Sequence, residues 1–93
     1  MGDLTVELSR MQVTQAGVPV AVTPLEFRLL AYLVLHAGRV VPHSELLTHL
    51  YGGDGDHENN LIEALVARLR RKLGPNTITT RRGFGYQLRE GAS

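Results

Sequence analysis

Arg68, Arg70, Arg71 and Lys72 crowd one short segment, and Arg81 and Arg82 follow after a stretch of glycine, proline and threonine. No acid interrupts the sequence from Ala64 to Gln87. A guanidinium presents five donors in a planar fork, which pairs bidentately with phosphate or with the O6 and N7 edge of guanine. The chemistry on offer is recognition of a polyanion. Bond-making chemistry has no comparable cluster: there is no Ser/His/Asp spacing, no pair of carboxylates and no P-loop. His36, His43, His49 and His57 share no i, i+4 helical face, and no cysteine is present to join them around a metal. An enzyme is not expected, nor a metal or cofactor.

The chain of 93 residues carries a formal net charge of only +1, but unevenly. Residues 1–59 hold three bases and seven acids, a balance of −4, whereas residues 60–93 hold seven bases and two acids, a balance of +5. A basic half on a near-neutral chain suits a polyanion-binding face. Charge alone suits a solvated helix surface equally well. The length and a hydrophobic content of 43% allow a single domain over 1–93, with flexible ends at 1–3 and 90–93 and no disulfide. No apolar run nears the roughly 20 residues that span a bilayer, and no cleavable leader is visible. A soluble, cytoplasmic protein is expected.

The elements that must position the basic residues are legible from periodicity. "LTVELS", "MQVTQ" and "VPVAV" alternate apolar and polar residues as strands do, with Ala16-Gly17 between the second and third. Pro19 has no N–H for a ladder, so its strand belongs at an edge or a bulge. At "TPLEFRLLAYLVLHAG" the period becomes helical: Thr23 caps, Pro24 opens and Glu26 completes a capping box. Phe27, Leu30, Ala31 and Val34 form an apolar face that Leu29, Leu33 and Leu35 widen, and Gly38 supplies the stop. "RVV" is long enough for a bridging strand only. "PHSELLTHLYGG" reads as a second helix, then "GGDGDHE" as a polar loop.

A third helix is expected from about residue 59 to 73, its core stripe set by Ile62, Leu65, Val66, Leu69 and Leu73. The opposite face carries Asn60, Ala64, Ala67, Arg68 and Arg71. Small Ala64 and Ala67 allow close approach to another surface, past which Arg68 and Arg71 can reach. The major groove of DNA admits one such helix. Arg70 to Lys72 also suit the negative end of the helix dipole without any ligand. "TITT" and "GYQL" flank "RRGFG" as a hairpin over about 77–88, with Arg81 and Arg82 at its tip. Such a tip can enter a minor groove, where narrow A·T-rich sequence concentrates negative potential.

With these stretches in view the chain resembles the C-terminal effector domain of OmpR/PhoB-type bacterial response regulators. The matching segments are "TPLEFRLLAYLVLHAGRVV", "SELLTHLYG", "NNLIEALVARLRRKLG" and "ITTRRGFGYQL", which span nearly all of Leu4 to Arg89 in order. The resemblance implies an α+β winged helix-turn-helix with an N-terminal antiparallel sheet, a three-helix core and a C-terminal β-hairpin wing. It implies sequence-specific binding to double-stranded promoter DNA, usually at direct repeats, by a monomer that dimerises on DNA. By position it implies a major-groove contact at Arg68, lined by Asn60, Ala64 and Ala67; Arg71 is added to that face by periodicity alone. It further implies wing contacts at Thr80 and Arg82, a phosphate contact at Tyr86, and backbone contacts at His43 and Ser44. Gly53, Asp54, Gly55, Asp56 and His57 correspond to a loop that meets RNA polymerase. The phosphate-accepting receiver domain, controlled by a sensor kinase, has no counterpart here, so the chain reads as an excised effector domain with Met1-Gly2 as an added start.

Three departures from the pattern stand out: the missing receiver, Pro42 where many relatives place a capping Ser, and Asn60 and Ala67 where several carry a base. The competing expectation is a winged helix that binds an acidic protein partner. It predicts shallow salt dependence with duplex DNA, whereas a DNA reader loses affinity steeply as salt rises.

Overall fold

The computed structural model describes residues 4–52 and 60–88. Strands β1 (Leu4–Glu7), β2 (Gln12–Gln15) and β3 (Val18–Val20) precede helices α1 (Pro24–Leu35), α2 (His43–Tyr51) and α3 (Leu61–Leu73). Strands β4 (Ile78–Arg81) and β5 (Gly85–Leu88) follow. The first three strands make an antiparallel meander and the last two an antiparallel hairpin, the α+β order expected from periodicity.

Alternation places Leu4 and Val13 in the core, with Val6 and Val20 packed against it. Pro19 lies opposite Thr14 in β3, an edge strand, where a missing N–H costs least. The β2–β3 connection is a two-residue turn at Ala16 (φ 52°) and Gly17 (φ 79°). Two positive φ angles in succession match the twist of the flanking strands.

The capping box forms as expected. Thr23 Oγ1 accepts from the Glu26 N–H at 3.2 Å, and Glu26 Oε1 accepts from the Thr23 N–H at 3.0 Å. The buried arc of α1 runs through Leu29, Leu33, Glu26, Leu30, Phe27 and Ala31. Leu35 was expected to widen this stripe, but it is 64% exposed. At about 100° per residue it projects opposite the middle of that arc, so the helix is covered on one side and not all round. Val34 is half-buried. The helix also ends before Gly38: His36 is its C-cap, and Gly38 (φ 90°) belongs to the turn beyond.

"RVV" contributes a single bridge. Val41 N–H donates to Tyr86 O at 2.7 Å and Tyr86 N–H to Val41 O at 2.9 Å, tying the approach to α2 onto β5. One apolar cluster joins all three helices to both sheets, with Leu29, Leu30, Leu46, Ile62 and Leu69 fully enclosed. No described helix is long and apolar enough to cross a membrane. The expected polymerase-contact loop, Gly53 to His57, and the expected flexible ends lie outside the described residues.

Candidate nucleic-acid interface

Helix α3 owes its orientation to five buried residues: Ile62, Leu65, Val66, Leu69 and Leu73. Together they anchor one side completely. Asn60, Ala67, Arg68 and Arg71 are exposed on the other, and Ala64 is half-buried among them. Asn60 is the N-cap, so the helix starts at Leu61, and the Asn60 side chain makes no cap bond. Gly74 (φ 111°) ends the helix, its N–H donating to Arg70 O at 2.8 Å.

The C-terminal turn of α3 is held from several directions. Gln15 Nε2 donates to Leu73 O at 2.6 Å and Thr77 Oγ1 donates to the same carbonyl at 3.1 Å. Lys72 Nζ lies 2.5 Å from Glu26 Oε1, whose side chain is 1% exposed. Burial works to raise the Glu26 pKa, yet the Lys72 hydrogen bond, the Thr23 N–H and the charges of Lys72 and Arg68 hold it below the ordinary carboxylate value. Arg70 turns to β4, donating from Nε and Nη2 to Ile78 O at 3.1 and 2.7 Å and from Nη2 to Thr80 Oγ1 at 2.7 Å. Arg70 and Lys72 therefore have specific structural partners, where the sequence suggested general electrostatics or packing and the helix dipole. Arg68 and Arg71 make no hydrogen bond or ion pair with a described residue.

The hairpin pairs Thr80 with Tyr86 and Arg81 with Gly85, leaving Arg82, Gly83 and Phe84 as its tip. The strand β4 thus includes Arg81, and Arg82 alone of the two arginines stands in the turn. Phe84 N–H closes the turn on Arg81 O at 2.8 Å. Gly85 is fixed by close approach: a Cβ there would lie 2.1 Å from the Val41 carbonyl oxygen. Arg82 is exposed, and Phe84 is 75% exposed beside it.

Between α2, α3 and the hairpin lies an open depression of about 250 Å³, whose lining includes His43, Glu63, Thr80 and Tyr86. It brings three expected contact residues together. Pro42 caps α2 without a side-chain bond, and Ser44 beside it is exposed. His43 is half-buried, with Nε2 3.4 Å from Glu63 Oε1. Tyr86 is only 7% exposed; burial, and then the Glu63 charge, push its hydroxyl pKa up against the opposing influence of Arg70. Its ring is a core element as well as an expected contact. Glu63 and the Arg70 anchorage were not singled out from sequence. The former is an isolated acid, and the latter depends on a strand that begins eight residues later.

Across α1 and α2, Arg39 Nη2 meets Glu45 Oε2 at 2.6 Å, and the Tyr32 hydroxyl donates to the same oxygen. The Arg39 bond, then the Tyr32 bond, lower the Glu45 pKa to about 2. This network braces α2 against α1. Among the described residues no group of His, Cys, Asp or Glu side chains could hold a metal ion.

The profile of a family described as "Transcriptional regulatory protein, C terminal" matches residues 17–88. The chain belongs to this family, the C-terminal DNA-binding domains of OmpR/PhoB-type response regulators. It is 43% identical over 93 residues to the two-component response regulator PhoP of Pseudomonas aeruginosa, covering 96% of this chain and 41% of that protein. Identity to the response regulator protein PmrA of the same organism is 42% over 87 residues, covering 94% of this chain and 39% of PmrA. The chain thus spans about two-fifths of the length of these curated relatives. The Klebsiella pneumoniae RstA DNA-binding domain, solved in complex with the RstA box, superposes with a TM-score of 0.84 at 33% identity, covering 94% of this chain and 91% of that one. In this response-regulator domain the three helices and the hairpin form the winged helix-turn-helix, and β4–β5 is its wing.

Proposed function

We propose that this domain binds double-stranded promoter DNA with α3 in the major groove and the wing tip in the adjacent minor groove. One observation carries the reading: an exposed helical face of small residues displays Arg68 and Arg71, which make no hydrogen bond or ion pair with a described residue, and Arg82 stands exposed on the neighbouring wing. Arg68 is assigned to a base edge, with Asn60, Ala64 and Ala67 lining the approach, and Arg71 to phosphate. His43 and Ser44, at the α2 N-terminus, meet the backbone, where uncapped N–H groups and the helix dipole favour an anion. Thr80 and Tyr86 meet the backbone beside the wing, and Arg82 enters the minor groove.

In the longer regulator, a receiver domain under a sensor kinase controls this binding. Protomers pair on direct repeats, although the isolated domain is a monomer. The segment from Gly53 to His57 meets RNA polymerase, and the setting is the cytoplasm. Selection from a random pool of duplex DNA tests the reading. The expected outcome is one enriched short half-site, repeated at a fixed spacing. Failure to enrich any sequence, together with tight binding to an acidic polypeptide, would favour a protein-binding winged helix.

A further inference from the structure

Arg70 and Thr80 join the recognition helix to the wing, and the sugar-phosphate strand that divides major from minor groove must pass over that junction if each element occupies its groove. The pair borders an open depression of about 520 Å³ lined by Pro75, Asn76, Ile78 and Thr79. A threonine hydroxyl has one proton and two lone pairs. Here its oxygen already accepts from Arg70 Nη2 at 2.7 Å, so the proton is left to point outward. The same guanidinium is fixed by two bonds to the Ile78 carbonyl, at 3.1 and 2.7 Å, and cannot turn away without breaking both.

We infer that Arg70 is a positioning residue: it orients the Thr80 hydroxyl to donate to a DNA phosphate oxygen seated in this depression, and does not itself contact the DNA. The inference rests on the DNA-binding reading above. It adds a division of labour within one hydrogen-bonded pair. A neutral hydroxyl that donates to phosphate displaces no counterion, whereas a cation that neutralises phosphate displaces about one. Arg70 and Arg71 are thereby separable by salt dependence although they are neighbours in sequence.

The test uses the 93-residue chain and a mixed-sequence duplex of about 20 base pairs, with affinity measured by fluorescence anisotropy between about 50 and 200 mM NaCl. Thr80→Val is expected to weaken binding about tenfold, the scale of a hydrogen bond to a charged group. In an Arg70→Met background the same Thr80→Val change is expected to cost less than about twofold, because the hydroxyl has already lost its orientation. Arg70→Met leaves the slope of log K against log salt unchanged. Additive losses for the two substitutions, or a slope reduced by about 0.9 in Arg70→Met, would overturn the inference. Should Arg70→Met fail to fold, Thr80→Ser decides: it keeps the hydroxyl and is expected to bind within about twofold of wild type. A loss matching that of Thr80→Val contradicts the proposal. Arg71→Ala serves as the control: the DNA-binding reading assigns it to phosphate on any sequence, so binding indifferent both to this change and to salt would bring down that reading itself, and not the role of Arg70 alone.

Discussion

Arg68 and Arg71 differ from Arg70 and Lys72 in nothing that composition can register, yet they occupy different worlds. Arg70 is bonded to the wing strand and Lys72 to a buried carboxylate, while Arg68, one turn before Lys72, and Arg71 are exposed and make no hydrogen bond or ion pair with a described residue. A cation with an internal partner has its donors committed to holding the fold. One without must find its partner outside. Two of the four cations at 68–72 are thus committed to the fold, and on the proposed function the other two form the reading surface, so the number of positive charges overstates the number available to DNA.

The largest effect expected from breaking this division falls on stability. Lys72→Met leaves Glu26 buried without its ammonium partner. Removing one member of a fully buried pair costs about 3–5 kcal/mol. Because the Lys72 side chain is 33% exposed, screening reduces the expectation to about 2–3 kcal/mol. Thermal denaturation should show the midpoint lowered by about 10 °C or more, with base preference retained in the folded fraction. A midpoint within about 2 °C of wild type would place the ion pair among the dispensable surface contacts.

Arg68→Ala should do the reverse. Its thermal midpoint stays near wild type, while binding to the selected site weakens by about 1–3 kcal/mol and discrimination relaxes at one base pair. Equal losses on selected and random DNA would remove its base-reading role. Replacing Arg82 by Ala has a smaller expected effect, about 1 kcal/mol, confined to sites with A·T-rich flanks where the minor groove is narrow. Competition between A·T-rich and G·C-rich flanks measures it, and an equal loss on both withdraws the wing assignment.

Acid provides a gentler probe of the scaffold side. The Glu26 carboxyl has a lowered pKa in the folded protein, so its ion pair contributes fully above the unfolded carboxylate value of about 4.3. That contribution is lost as pH falls through the folded value. Glu45, lowered to about 2, adds a similar dependence through a more exposed pair. Denaturation of Glu26→Gln beside wild type isolates the first effect: the stability gap should be widest near neutrality and close on acidification. A gap independent of pH would mean that the pair contributes through shape alone.

Much of this architecture was legible because its determinants are local. Thr23, Pro24 and Glu26 announce a helix start within four positions, Ala16-Gly17 supplies the turn, and the stripe from Ile62 to Leu73 fixes which side of α3 faces inward. Leu35 misled because periodicity gives an apolar direction without saying how far around the helix neighbours reach. The contacts that sort the cations are non-local: Lys72 meets Glu26 across 46 positions, and Gln15 meets Leu73 across 58. No spacing rule encodes them. Sequence periodicity put Asn60, Ala67, Arg68 and Arg71 on the exposed face of α3, where the structure has them, but which donors remained available depended on tertiary contacts.

The salt dependence of DNA binding for wild type, Arg71→Ala and Lys72→Met tests the division most directly. The account predicts a steep fall of log K with log salt for wild type, a slope smaller by about 0.9 for Arg71→Ala, and a wild-type slope for Lys72→Met measured below its melting transition. A slope loss in Lys72→Met equal to that in Arg71→Ala, or a wild-type affinity indifferent to salt, would contradict it.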